Sequence, residues 1–66
     1  MGKGFIALIY RYGYTPKKLA EALGVSRGII SHWGGGRRRP SVVHIERIAY
    51  ALNCSFDEVL KCFYDV

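Results

Sequence analysis

Arg37, Arg38 and Arg39 stand in a row behind three glycines in the stretch HWGGGRRRPS, His32 to Ser41. A guanidinium presents five N–H donors in a planar fork that fits phosphate or a guanine edge, so the run is equipped to hold a polyanion. By itself it admits three readings: a flexible linker, a disordered arginine-glycine patch for RNA, or a tight turn that concentrates positive charge. Other chemically capable side chains are sparse. His32, His44, Cys54 and Cys62 lack CxxC or HxxxH spacing, so no zinc or other metal site is expected. A Cys–His nucleophile is no better supported, because no third group orients the pair. Tyr10, Tyr12, Tyr14, Tyr50 and Tyr64 suggest stacking on single-stranded bases. Tyr12, however, falls on an inward helix face and Tyr14 precedes a helix start, so packing is the stronger account.

The balance of charge extends the theme of the arginines. Ten Lys and Arg stand against five Asp and Glu, a net charge of +5 and a pI near 9.6. Between Arg11 and Arg39 lie seven basic residues and one acid, Glu21. From Pro40 onward there are two, Arg47 and Lys61, against Glu46, Asp57, Glu58 and Asp65. A domain that is merely soluble intersperses its signs, so this asymmetry points to nucleic acid first and an acidic membrane surface second. With half its residues apolar and 14% aromatic, the chain is not of a disordered kind. Its 66 residues are expected to form one small domain, 1–66, with no room for a conventional enzyme pocket. Two cysteines are too few for a disulfide framework, and the short apolar run FIALIY is neither signal peptide nor membrane span. A reducing cytoplasm, in a prokaryotic cell or its virus or plasmid, is the expected setting.

The elements that must position these residues are all helical. Phe5, Leu8, Ile9 and Tyr12 share one face of a first helix over 4–12, which Gly13 ends. Thr15 caps a second helix over 16–23, with Pro16 at its first position and Gly24 supplying the turn. Ser26 caps a third over 27–33, with Val25 and Ile30 spaced as a hydrophobic staple. Ser41 caps a fourth over 42–52, where Ile45, Ile48, Ala49 and Leu52 fall at helical spacing and Asn53 closes it. SFDE, a capping box of Ser55 with Glu58, opens a fifth over 56–63, stapled by Cys54 and Val59. No strand pattern survives beside these, so the fold is all-α.

TPKKLAEALGVSRGIISHW has the shape of two helices joined by a short glycine-containing turn. Ala20 is small where the helices cross, Gly24 takes the turn, and Ile30 locks the second helix onto the first. With Trp33, Gly36, Arg38, Pro40-Ser41, Ile48-Ala49, Leu52 and Ser55, the chain from about Ile6 to Leu60 resembles the phage-repressor and Cro-type helix-turn-helix family. The resemblance implies a five-helix, lambda-repressor-like DNA-binding domain whose third helix enters the major groove. Carried over by position, it implies base contacts from Arg27, Gly28, Ile29, Ser31 and His32, with Arg27 the best fit to guanine. It implies phosphate contacts from Thr15, Lys17 and Lys18 on one side and from Ser26, Arg37, Arg38 and Arg39 on the other.

The expected activity is therefore sequence-specific binding of double-stranded DNA by a small Cro-like repressor, not an enzyme, with no cofactor or small-molecule ligand and no membrane. A lone module of this size gains specificity from a second copy, so a homodimer on a pseudo-palindromic operator is expected. Its candidate interface is the last helix, with Phe56, Val59, Leu60, Phe63 and Tyr64; the apolar first helix is the rival. Alternatives are an antitoxin or restriction-modification controller on the same fold, a protein-interaction module that has lost DNA binding, and non-specific RNA or single-strand binding.

For HWGGGRRRPS, seven residues between Trp33 and Ser41 make an ordinary helix-to-helix connection, which removes the linker and the RNA patch. Gly34 and Gly35 depart from the resembled family, which often carries glutamate after the aromatic residue. They are expected to loosen the turn, by roughly 0.5–1 kcal/mol each relative to alanine.

Overall fold

Four short helices begin at a hydroxyl. The side chains of Thr15, Ser26, Ser41 and Ser55 accept the backbone N–H of Lys18 (3.1 Å), Ile29 (3.2 Å), His44 (3.2 Å) and Glu58 (3.2 Å). Each bond satisfies one of the amides that a helix start leaves without a partner. In the computed structural model, which describes residues 2–65, these caps open α2 (Pro16–Leu23), α3 (Arg27–Gly34), α4 (Val42–Leu52) and α5 (Phe56–Phe63). The remaining helix, α1 (Phe5–Arg11), starts from a left-handed Gly4 with no side-chain cap. No strand occurs among the described residues, and the chain is all-α.

Four helix ends share one closure. After α2, the Val25 N–H donates to the Ala20 carbonyl and the Gly24 N–H to that of Glu21, around a Gly24 at φ 71°. This pairing of a long and a short bond needs a left-handed residue, which costs glycine nothing. Gly13, Gly36 and Asn53 hold the same place after α1, α3 and α4. Tight ends at both termini let helices of seven to eleven residues pack at all, since such lengths are marginal alone.

The core is built from one face of every helix. Ala20 is buried between α2 and its neighbours, while Ile30, Ile45, Ile48 and Val59 are fully enclosed. Phe5 of α1 joins α3 to α5: its ring lies 6.4 Å from Trp33, edge-on, and 4.9 Å from Phe63. This packing corrects the expected dimer surface. Val59 and Phe63, at 0% and 1% exposure, are consumed by the protomer's own core, Phe63 against Phe5 of α1. Phe56, Leu60 and Tyr64 are half-buried, and Phe5, Leu8 and Ile9 of the rival first helix also point inward.

A second correction concerns the start of α5. Ser55 caps as expected, but the Glu58 carboxylate turns to α1 and accepts the Tyr12 hydroxyl at 2.8 and 3.0 Å. A half-buried phenol arriving from 46 residues away supplies an O–H donor, which competes well with a backbone N–H for an anionic acceptor. Nearby, burial and then the charge of Glu58 push the Cys54 thiol up, which keeps it protonated as a packing residue.

The Glu58 hydrogen bond, then desolvation and the carboxylate's charge, push the Tyr12 phenol above its ordinary value. A folded value above the unfolded one means that this contribution is whole below the unfolded pKa of about 10. It fades as pH climbs through the raised folded value. Glu58→Gln removes the charge, so near-ultraviolet titration of phenolate should show one tyrosine ionising at lower pH than in the parent. An unchanged titration curve would refute the coupling.

Candidate nucleic-acid interface

The turn between α2 and α3 sets the direction of α3. Leu23 and Ile30 are buried on either side of it, Val25 packs half-buried against the core, and Arg47 of α4 donates to the Leu23 carbonyl at 2.6 Å. With Ile30 and Trp33 inward, the opposite flank of α3 presents Arg27, Gly28 and Ser31 to solvent. His32 completes that flank half-buried, its Nδ1 enclosed and without a hydrogen-bond partner among the described residues. Ile29 is also half-buried and packs against the core, so only part of its side chain is available to a ligand. At Gly28 a Cβ would meet nothing nearer than the Ser26 hydroxyl at 3.7 Å; the glycine is a gap in the surface rather than a packing requirement.

The expected phosphate ligands fall into two groups. Thr15, Lys17 and Lys18 occupy the start of α2, both lysines exposed. Ser26, Arg38 and Arg39 line a groove of about 500 Å³ between the starts of α3 and α4, floored by Ile29 and Trp33 and bounded by Ser41 and His44. Arg37 is exposed beside it without lining it. The first turns of α2, α3 and α4 contain no acidic residue, whereas α5 has Asp57 and Glu58. The positive ends of the α2, α3 and α4 dipoles are thus left for an outside anion, and that of α5 is answered within the chain.

Two features of the arginine loop escape the sequence reading. Tyr64, expected at a dimer interface, lies beneath it: its ring is 4.6 Å from the Arg39 guanidinium carbon, and its hydroxyl donates to the Pro40 carbonyl at 3.2 Å. Pro40 itself is fully buried. His44 is fixed as well, its Nδ1 3.0 Å from the Ser41 hydroxyl and its ring 5.4 Å from that of Trp33.

Two of the three glycines answer a specific constraint. Gly34 is the last residue of α3, and a Cβ there would lie 2.8 Å from Ile6, so α1 fills the space a side chain would use. Gly35 has ordinary right-handed geometry, and a Cβ there would lie 3.3 Å from the Ser31 carbonyl oxygen. Gly36 is the left-handed residue at φ 77°, and the amides of Arg37 and Arg38 that follow both donate to the His32 carbonyl.

A family model described as helix-turn-helix matches residues 7–59. No curated protein and no solved structure matches the chain.

Gly36→Ala should cost about 1–2 kcal/mol in thermal or urea unfolding, the penalty of a left-handed alanine. Gly35→Ala should cost less than half of that; equal losses would overturn this division of roles. Tyr64→Ala should speed tryptic cleavage after Arg37 and Arg38, and Tyr64→Phe, which keeps the ring but not the hydrogen bond, should fall between. Parental rates in both variants would remove the clamp.

Proposed function

The chain belongs to the helix-turn-helix family, a family of DNA-binding regulators, and on that premise we propose a small Cro-like repressor that acts as a homodimer on a pseudo-palindromic operator. The observation that carries this reading is the pairing of an exposed α3 flank with helix starts that lack acidic residues and stand beside exposed arginines.

In the proposed complex α3 lies in the major groove. Arg27 sets its fork against O6 and N7 of a guanine, and Ser31 and His32 supply a hydroxyl and an imidazole to neighbouring base edges. Ile29 offers its exposed part to a thymine methyl, and Gly28 lets the helix backbone come close. Phosphates of one strand meet the α2 start with Thr15, Lys17 and Lys18. Those of the other meet Ser26 and the loop of Arg37, Arg38 and Arg39. Stacking on Tyr64 aims the Arg39 guanidinium and limits its freedom, which reduces the entropy lost on binding. Repression is passive, by covering a promoter, in a cytoplasmic setting with no catalytic step. No helix among the described residues is long and apolar enough to cross a membrane.

The deciding experiment titrates the protein against random duplex, random single strand and the duplex upstream of its own gene, at two salt concentrations. Tight binding confined to the upstream duplex, with steep salt dependence, is the expected result; equal affinity for all three overturns the reading. Arg27→Ala should lose about 1–3 kcal/mol against the preferred duplex and relax its base preference. Arg38→Ala should weaken every duplex alike and lower the salt slope by about 1. If both substitutions weaken every duplex by one factor, the division into base and phosphate contacts is wrong.

A further inference from the structure

With Ile45, Ile48, Ala49 and Leu52 of α4 buried, the opposite face of the helix presents Val43, Glu46, Arg47 and Tyr50, at positions i, i+3, i+4 and i+7. Tyr50 is 90% exposed and Val43 62%, the two most exposed large apolar side chains among the described residues. Beside Tyr50 runs a groove of about 460 Å³ walled by Ala22 and Leu23 of α2 and by Ala51. A protruding aromatic ring and a shallow apolar hollow thus lie side by side, with one acid and one base between them and the valine.

We infer that this face binds a second copy of the chain, through antiparallel pairing of the two α4 helices about a twofold axis that passes between positions 46 and 47. The order of the side chains argues for that occupant. Reversing the helix sets Val43 opposite the partner's Tyr50 and Glu46 opposite the partner's Arg47, each pair occurring twice, as an isologous interface requires. A uniformly acidic or basic partner would leave one of the two charges opposed, and two apolar side chains flanked by both signs make no membrane anchor. A second copy answers all four residues with the same four. Arg47 is set for this role. One of its nitrogens donates to the Leu23 carbonyl at 2.6 Å, which holds the guanidinium at the groove rim with other N–H groups to spare.

The interface rests on the homodimer reading above and gives it a location. It shares no residue with the α3 flank or the arginine loop, so a second copy and DNA do not compete for side chains. It also replaces the α5 surface, whose Val59 and Phe63 are enclosed.

The test is sedimentation equilibrium of the free protein, which asks nothing of DNA. The parent should show a concentration-dependent monomer–dimer equilibrium. Tyr50→Glu and Glu46→Arg should each raise the dissociation constant about tenfold or more, Glu46→Arg by setting two arginines against each other. The double exchange Glu46→Arg/Arg47→Glu restores opposite charges across the axis and should dimerise about tenfold more tightly than Glu46→Arg alone, although it gives up the Arg47 bond to the Leu23 carbonyl. Thermal melts at concentrations well below the parent's dissociation constant guard the comparison, and there Tyr50→Glu, at a site nearly fully exposed in the monomer, should leave the melt unchanged. A monomeric parent, a dimer indifferent to Tyr50→Glu and Glu46→Arg, or a folded double exchange that does not recover would each overturn the interface. A parent that dimerises through this face yet binds no duplex would overturn the repressor reading and leave this one standing.

Discussion

Trp33 stands edge-on to Phe5 of α1 and faces the His44 ring of α4, while its carbonyl receives the Gly36 amide that begins the arginine loop. The outer flank of α3 and the loop behind it both take their bearings from this one buried side chain. An eight-residue helix has too few hydrogen bonds to hold a direction unaided, so its orientation is a property of what its inner face touches. Ile30 and Trp33 are that inner face, and four helices contribute to their surroundings through Phe5, the α2 turn, His44 and, beyond Phe5, Phe63. The side chains available to a ligand are therefore set by apolar contacts on the far side of the helix.

Electrostatics follows the same division. Asp57 and Glu58 sit at the start of α5, where the helix dipole answers them, with Tyr12 closing on Glu58. The starts of α2, α3 and α4 hold only hydroxyl caps, which satisfy single amides without neutralising the dipole. Positive potential therefore accumulates beside Lys17, Lys18, Arg38 and Arg39 without any of these side chains being buried, and burial is what would have made it costly.

What could be read from the sequence was local. Thr15, Ser26, Ser41, Ser55, Gly24 and Asn53 act within four residues of themselves, so their types and spacing disclose caps and closures directly. The all-α fold and the groups of side chains gathered at each helix start follow from them. What escaped was long-range and specific. Tyr12 meets Glu58 across 46 residues, while Tyr64 reaches Pro40 and Arg47 reaches Leu23 across 24 each; nothing in local pattern names such partners. Apolar periodicity marks one face of α5 without saying which surface covers it, and Val59 and Phe63 go to the protomer's own core rather than to a partner. Gly34 looked like a missing glutamate because the compensating residue, Ile6, lies a whole helix-turn-helix earlier in the chain.

The amide of Gly2 donates to the carbonyl of Cys62 at 2.6 Å, and Gly2 is itself buried, with room for no side chain because a Cβ would press on the Trp33 carbonyl. Topologically the described chain is a ring with a clasp. Of the backbone hydrogen bonds outside the helices, this one encloses the most chain, so it bears the largest loop-closure entropy, whereas the α2–α3 and α4–α5 pairs join sequence neighbours and close cheaply. Opening the clasp gives back more freedom than breaking any other single backbone contact of this kind. The strand of chain that it releases is the one lying against the carbonyl of the residue from which α3 takes its bearing.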